Sequence, residues 1–256
     1  MKKNFVEYNR GDMNKNKTQI KGIAFHGSGG LLWYYMGIAQ FIQDNYDTSD
    51  LQFCSVSGGC LPGVFLSSGL SIQKIWEECF IPWIIDINKL PSKGAILPTF
   101  TEKSMAILLK YLKQSITNED EILKKINTHL SIRMTKLSLF NGGQVYVNKW
   151  SSLEDIINCV TASCWLPGIF GKLTKTYKGS EYMDGGFPHS IEDKGEDWLH
   201  IKITTFQDIS QDVKTLLYLT SLYTIGSVSI AQELYNLGYT DSHKNVEFFD
   251  GLSPTS

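Results

Sequence analysis

The chain of 256 residues suits one large α/β domain or two small ones, and it can bury enough surface to fold without disulfide or metal staples. An apolar share of 42% and a charged share of 20% are those of a globular protein, not a disordered one. A net charge of −2 excludes the global basic field of a nucleic-acid binder, and five cysteines without a C-x-x-C pair argue against a disulfide framework or a structural zinc site.

Residues 1–18 read as a flexible polar arm; Met1 to Lys17 has no apolar core and so is not a signal peptide. The Asn16-Lys17-Thr18 sequon then has no glycosylation to serve. Reduced cysteines fit a cytoplasmic setting. Ile20 to His26 reads as a short buried strand, Gly27 to Gly30 as a tight turn, and Leu31 to Asn45 as a helix apolar on most sides. Leu51 to Val56 and Gly58 to Ser68 repeat the strand–turn–helix order, which points to an α/β sheet protein.

Farther on, Thr101 to Lys113 and Asn118 to His129 show helical spacing. Ser131 to Phe140 and Gln144 to Val147 alternate around Asn141-Gly142, a hairpin signal. Ser152 to Ser163 reads as a helix capped by Ser151 or Ser152. Two short strands flank Lys178-Gly179-Ser180, Trp198 to Thr204 is a further strand, and Ser210 to Leu237 is helical. One domain is expected over 19–245, with a flexible tail over 246–256. Gly22 to Gln43 and Thr215 to Gln232 are each near the roughly 20 residues of a membrane span. Glycines with His26 and Ser28 in the first, and Ser, Thr, Tyr and Gly in the second, make buried elements of a folded core the better reading.

Three motifs carry chemistry. The turn Gly27-Ser28-Gly29-Gly30 lets backbone approach a ligand closely and points free N–H groups of the following helix at it, so it could hold a phosphate or an oxyanion. It lacks the Gly-Lys-Ser/Thr ending of a phosphate-binding loop, and a tight connection with no ligand is an equal reading of the turn alone. Ser55-Val56-Ser57-Gly58-Gly59 has the form of a nucleophile elbow at a strand-to-helix turn, with Ser55 in place of the first glycine. A capping serine is the bland alternative. Met183-Asp184-Gly185-Gly186 in isolation is a turn.

Taken together and in this order, the three motifs resemble the patatin-like phospholipases. Leu31 through Tyr35 to Gly37-Ile38, then Ala162-Ser163 with Pro167 and Phe170, and Gly238-Tyr239-Thr240-Asp241 extend the resemblance from Gln19 to Asp241. It implies a three-layer α/β/α fold with a central, mostly parallel sheet. It implies that Ser57 attacks an acyl ester, that Asp184 of the Asp184-Gly185-Gly186 turn is its base, and that Gly27, Ser28, Gly29 and Gly30 form the oxyanion hole. Ser55, Gly58 and Gly59 would shape the elbow. No metal or cofactor is implied, and no D-x-D-x-D-G calcium loop is present. The implied function is a lipid acyl hydrolase working through an acyl-enzyme, with a lipid transacylase or an inactive lipid-binding relative as alternatives. Ser55 and Leu32 stand where the family has glycine.

A Ser–Asp–His triad is the mechanistic rival, since His189, His200 and His243 follow Asp184, with His189 the best placed. His26 reads as a hydrogen-bonded residue at a strand end. The expected partner is a phospholipid or other acyl-ester lipid, met by peripheral membrane contact. For any single one of Trp76, Phe80, Ile81, Trp83 and Ile84 a core role is the better reading, and the hypothesis is that some of them line an acyl groove or touch the membrane.

Overall fold

The computed structural model describes residues 19–90, 100–138, 141–168, 172–186, 191, 194–207 and 226–255. Strand β1 (Gly22–Phe25) leads through a turn into helix α1 (Leu32–Asn45), and β2 (Gln52–Ser55) leads through a second turn into α2 (Cys60–Ser68). There follow α3 (Ile72–Ile75), a π-helical segment (Trp76–Phe80), α4 (Ile81–Ile87), α5 (Phe100–Ser115) and α6 (Glu119–His129). Then come β3 (Leu130–Leu137), β4 (Gly143–Val147), α7 (Leu153–Ser163), β5 (Lys175–Tyr177), β6 (Ser180–Met183), β7 (Trp198–Ile201) and α8 (Val228–Lys244). Asn118, Ser152 and Ser227 each accept a backbone N–H of the helix that follows; Ser152 is one of the two caps expected, whereas Ser227 starts a helix inside the stretch read as helical from Ser210.

The sheet pairs in the order β5-β6-β3-β2-β1-β7, with β4 also on β3. Strands β3, β2, β1 and β7 run parallel at its centre, and β4, β5 and β6 add antiparallel pairs. Helices flank this mixed α/β sheet. Ile23, Phe25 and Phe53 face the main core with α1 and α2, while Ala24, Cys54 and Val56 face the other side against Ile191.

One strand arrangement positions everything that follows. Ile132 of β3 pairs with Ser55 of β2 and with Val147 of β4, and Thr135 pairs with Met183 of β6 and with Gln144 of β4. A strand has only two edges, so β2 and β6 share the edge opposite β4 and run toward each other along it. Their C-terminal ends therefore meet head to head beside Arg133.

Helices α1 and α8 cross at a pair of glycines. A Cβ on Gly37 would run into the carbonyl of Tyr235, and one on Gly238 into the carbonyl of Tyr34. The same crossing is tied by Tyr34 Oη donating to Asp241 at 2.9 Å and Tyr235 Oη to Gln40 at 3.0 Å.

The aromatic residues after α2 are core, the better reading of each singly and a correction of the membrane-contact hypothesis: Trp76, Phe80, Trp83 and Ile84 are buried, and Trp33 meets Trp76, Phe80 and Trp83 edge-on. Trp83 also donates its indole N–H to the Ser104 carbonyl at 2.7 Å. Only Ile81 is half-buried. Their spacing explains it. Ile72, Ile75, Trp76, Cys79, Phe80, Trp83, Ile84 and Ile87 repeat every three to four residues, the stripe of a helix packed on a core. Pro82, which cannot donate to a carbonyl one turn back, follows a segment where the ladder lengthens and Ile81 N–H reaches Trp76.

The second correction is the tail over 246–256. Residues 246–249 form a 3₁₀ turn, Phe249 and Leu252 are buried, and Pro254 bridges to Tyr46. Ile20, Asp47 and Thr255 exchange backbone hydrogen bonds between this segment and the rest of the chain. The aromatic pair Phe248–Phe249 packs on Phe206 and Phe41, which supplies the burial a loose tail would lack.

Among the described residues no helix is long and apolar enough to cross a membrane. The stretch from Gly22 to Gln43 is divided between β1 and α1, whereas 215–225 of the second stretch lies outside the described residues. So do the arm over 1–18, Phe170, His189 and the 210–225 part of the expected C-terminal helix.

Candidate active site

The ends of β2 and β6 bring Ser57 and Asp184 together. Ser57 Oγ donates to Asp184 Oδ2 at 2.6 Å, and both residues are buried, 8% and 4% exposed. Ser57 has φ of 53°, a left-handed conformation that a non-glycine residue seldom adopts. Such backbone costs on the order of 1–3 kcal/mol and persists only where the surroundings hold it. Here Ser57 N–H donates to Ser163 Oγ at 3.0 Å.

The elbow is tight because its neighbours are glycines. A Cβ on Gly58 would meet Ser28 and Gly29, and one on Gly59 would fall 2.5 Å from the His26 carbonyl oxygen. The turn and the elbow are therefore in backbone contact. A 3₁₀ turn over Ser57–Gly59 feeds α2, whose N-terminus begins just behind the serine. Ser55 in place of glycine is accommodated across from Gly63, whose Cβ would strike the Ser55 hydroxyl. The Ser55 Oγ is buried without a hydrogen-bond partner.

Asp184 is fixed on all sides. Its N–H donates to the Trp165 carbonyl at 2.8 Å, and Gly186 N–H donates to its Oδ1 at 2.8 Å. Gly185 N–H donates to the Ser163 carbonyl at 3.1 Å, and a Cβ on Gly185 would run into the Arg133 carbonyl. Burial pushes the Asp184 carboxyl up to about 6, against the opposing pull of the Ser57 hydroxyl and the Gly186 N–H. A carboxylate so placed can take a proton from the hydroxyl it already holds.

The glycine turn runs beside the elbow. Gly29 has φ of 54°, which glycine adopts freely, and it begins a 3₁₀ turn over Gly29–Leu31. Gly27 and Gly29 are half-buried, whereas Ser28 and Gly30 are buried. Gly29 N lies 3.0 Å from where a Gly58 Cβ would stand, so its N–H borders the elbow.

Ser163 enters the sequence reading only within the Ala162-Ser163 segment, with no role of its own. It accepts from Ser57 N–H, donates to the Arg133 carbonyl at 2.8 Å, and accepts from Gly185 through its own carbonyl. It thus joins the elbow, β3 and the Asp184 turn.

The two triad candidates among the described residues, His200 and His243, lie elsewhere. His26 Nε2 and His200 Nδ1 are 3.0 Å apart, and His200 Nε2 is 3.2 Å from the Lys194 carbonyl. His26 is thus the hydrogen-bonded strand-end residue expected, and burial first, then Lys202, His200 and Arg133, lowers its pKa to about 3. His243 is exposed and packs on the ring of Phe41. Neither His200 nor His243 hydrogen-bonds Ser57 or Asp184. Among the described residues no cluster of His, Cys, Asp or Glu is placed to hold a metal.

No family model matches the chain. Curated relatives do. The omega-hydroxyceramide transacylase of Mus musculus is 25% identical over 170 residues, 64% of this chain and 27% of that protein. A 1-acylglycerol-3-phosphate O-acyltransferase of Mus musculus is 22% identical over 253 residues, 88% of this chain and 58% of that protein. The patatin-like phospholipase domain-containing protein 2 of Mus musculus is 24% identical over 177 residues, 66% of this chain and 34% of that protein. The matched part is thus a minor share of the transacylase and the phospholipase-domain protein. Among solved structures, VipD from Legionella pneumophila aligns at a TM-score of 0.48 and 16% identity, covering 77% of this chain and 52% of that one. The curated relatives to which this chain is similar are members of the patatin-like phospholipase family.

Proposed function

We propose that the chain is a lipid acyl hydrolase of phospholipase A type that cleaves fatty acyl esters through Ser57 and Asp184. The observation that carries this reading is the 2.6 Å hydrogen bond from Ser57 Oγ to Asp184 Oδ2, made by a serine at positive φ.

In the first half-reaction Asp184 takes the hydroxyl proton as Ser57 Oγ attacks the ester carbonyl. The tetrahedral oxyanion rests on N–H groups of the Gly27–Gly30 turn, and the half-buried Gly29 is the one best presented. Collapse expels the alcohol, which recovers the proton from Asp184. Water, deprotonated by the same carboxylate, then hydrolyses the acyl-enzyme. No step needs a metal or cofactor. The substrate is an acyl-ester lipid met at a membrane surface, and the described residues from 19 onward act as one hydrolase unit.

A transacylase reading keeps the first half-reaction and replaces water by an alcohol or lysolipid. It is favoured by the names of two relatives, a transacylase and an O-acyltransferase. Both readings predict that a fluorophosphonate probe labels the wild type and not Ser57→Ala. Adding lysolipid or glycerol to acyl-lipid substrate then divides them: free fatty acid as the sole product supports the hydrolase, and acylated acceptor supports the transferase. Absence of labelling together with absence of either product would leave only the lipid-binding alternative, to which the departures at Ser55 and Leu32 point.

A further inference from the structure

A cavity of about 430 Å³ lies between α1, the helix over 72–87 and α8, and it shares no residue with the elbow, the glycine turn or the Asp184 turn. Asp44, at its rim, stands 12 residues after the first residue of α1, about 18 Å along the helix from the glycine turn.

Its floor is aromatic. Trp76 and Tyr235 stack with centroids 4.3 Å apart, and Tyr239 and Ile81 complete the apolar wall. Among the described residues its only charged groups are Asp44 and Glu77, both exposed, and both bear on the Tyr235 hydroxyl.

Tyr235 Oη donates to Gln40, and Gln40 donates to Asp44 Oδ1 at 2.6 Å. Gln73 donates to Glu77 Oε1 at 3.1 Å. Trp76 donates to Gln232 at 3.0 Å, and Gln232 donates on to Asn236. Each of these glutamine amides keeps a second N–H, so charge rather than hydrogen-bond direction sets what the cavity accepts. Two carboxylates beside aromatic surface suit a cation and disfavour an anion. Carboxylates beside stacked rings, in a space of this size, match a bulky organic ammonium better than a small hydrated metal ion, which would need more oxygen ligands.

The geometry points to a second binding site, for an organic ammonium ion of the choline type. The same chemistry comes as a free amine or as a lipid headgroup. This site stands apart from the hydrolase reading, so its fate does not depend on whether Ser57 turns over an ester.

The test uses the full chain carrying Ser57→Ala, so that binding is read without turnover. Choline chloride is titrated by saturation-transfer NMR and by the fluorescence of the tryptophans, beside its neutral isostere 3,3-dimethylbutan-1-ol. The site predicts saturable choline binding that weakens with added salt, at least about tenfold weaker binding of the isostere, and a similar loss in Asp44→Asn/Glu77→Gln with its thermal melt unchanged. Flotation with phosphatidylcholine vesicles assigns the source. Loss of vesicle binding in the double variant means a lipid headgroup, and loss of free choline binding alone means a soluble amine. No saturable choline binding, equal binding of the isostere, or full binding by the double variant would overturn the site.

Discussion

Ser57 and Asp184, 127 residues apart in sequence, are one hydrogen bond apart because β2 and β6 end against each other on the same edge of β3. Met183 is the last residue of β6 to pair, opposite Thr135, and Ser55 is the last of β2, opposite Ile132. The gap between those two pairings is where both functional side chains emerge, with Ser163 bonded to each side of it.

Burying the Asp184 carboxylate is a cost to stability that its isostere would not bear. The carboxyl is held near 6 in the fold, above the ordinary 3.8, so the folded chain binds the extra proton between those values and stability falls as pH rises from about 4 to about 6. Asp184→Asn is expected to be inactive and, at pH 8, more stable by on the order of 1–3 kcal/mol. The gain should shrink below pH 6 and vanish near pH 4. Urea melts of both proteins at pH 4, 6 and 8 check this.

The same carboxyl sets a pH profile. The base must be ionised, so kcat/KM should rise with pH through a single acid limb near 6 and then level off. His26 is already neutral there, its pKa lowered to about 3 by burial first. Because a plain histidine also titrates near 6.5, the decisive comparison is His200→Gln and His189→Gln. The limb should stay in both variants, and its loss in either would support the triad.

Ser55 and Gly63 form a coupled pair. Gly63→Ala should destabilise the chain by about 1–3 kcal/mol, since its methyl strikes the Ser55 hydroxyl. Ser55→Gly alone should cost little, because it removes a buried hydroxyl without a partner. The double variant should recover most of the Gly63→Ala loss, a coupling that a double-mutant cycle by urea melts measures directly.

The glycine crossing of α1 and α8 should be intolerant in a different way. A methyl at Gly37 or Gly238 meets backbone, which cannot yield as a side-chain end can. Each alanine variant should lose about 2–4 kcal/mol, read by thermal or urea melts, with no rescue by trimming any nearby side chain.

Much of this was legible in the sequence where the signal is local. The paired strand–turn–helix units, the Asn141-Gly142 hairpin and the Ser152 cap rest on short-range rules, and β1, β2, β3, β4 and α7 follow them. For the aromatic residues from Trp76 to Trp83 the sequence favours a core role singly and leaves membrane contact open, because amphipathic spacing does not say what the apolar face packs against. Trp33, 43 residues before Trp76, supplies that partner. The tail over 246–255 reads as flexible in the sequence, and its burial depends on contacts with Ile20, Tyr46 and Phe206 that no local pattern announces. The role of Ser163 was not legible for the same reason: it touches two turns that only the fold brings near.

Fatty-acid release from phosphatidylcholine vesicles, compared between wild type and Ser57→Ala without added metal, tests the central claim most directly. Release by the wild type, reduced at least about a thousandfold in the variant, is the predicted result. Equal release by both proteins would show that Ser57 is not the nucleophile and would contradict the account.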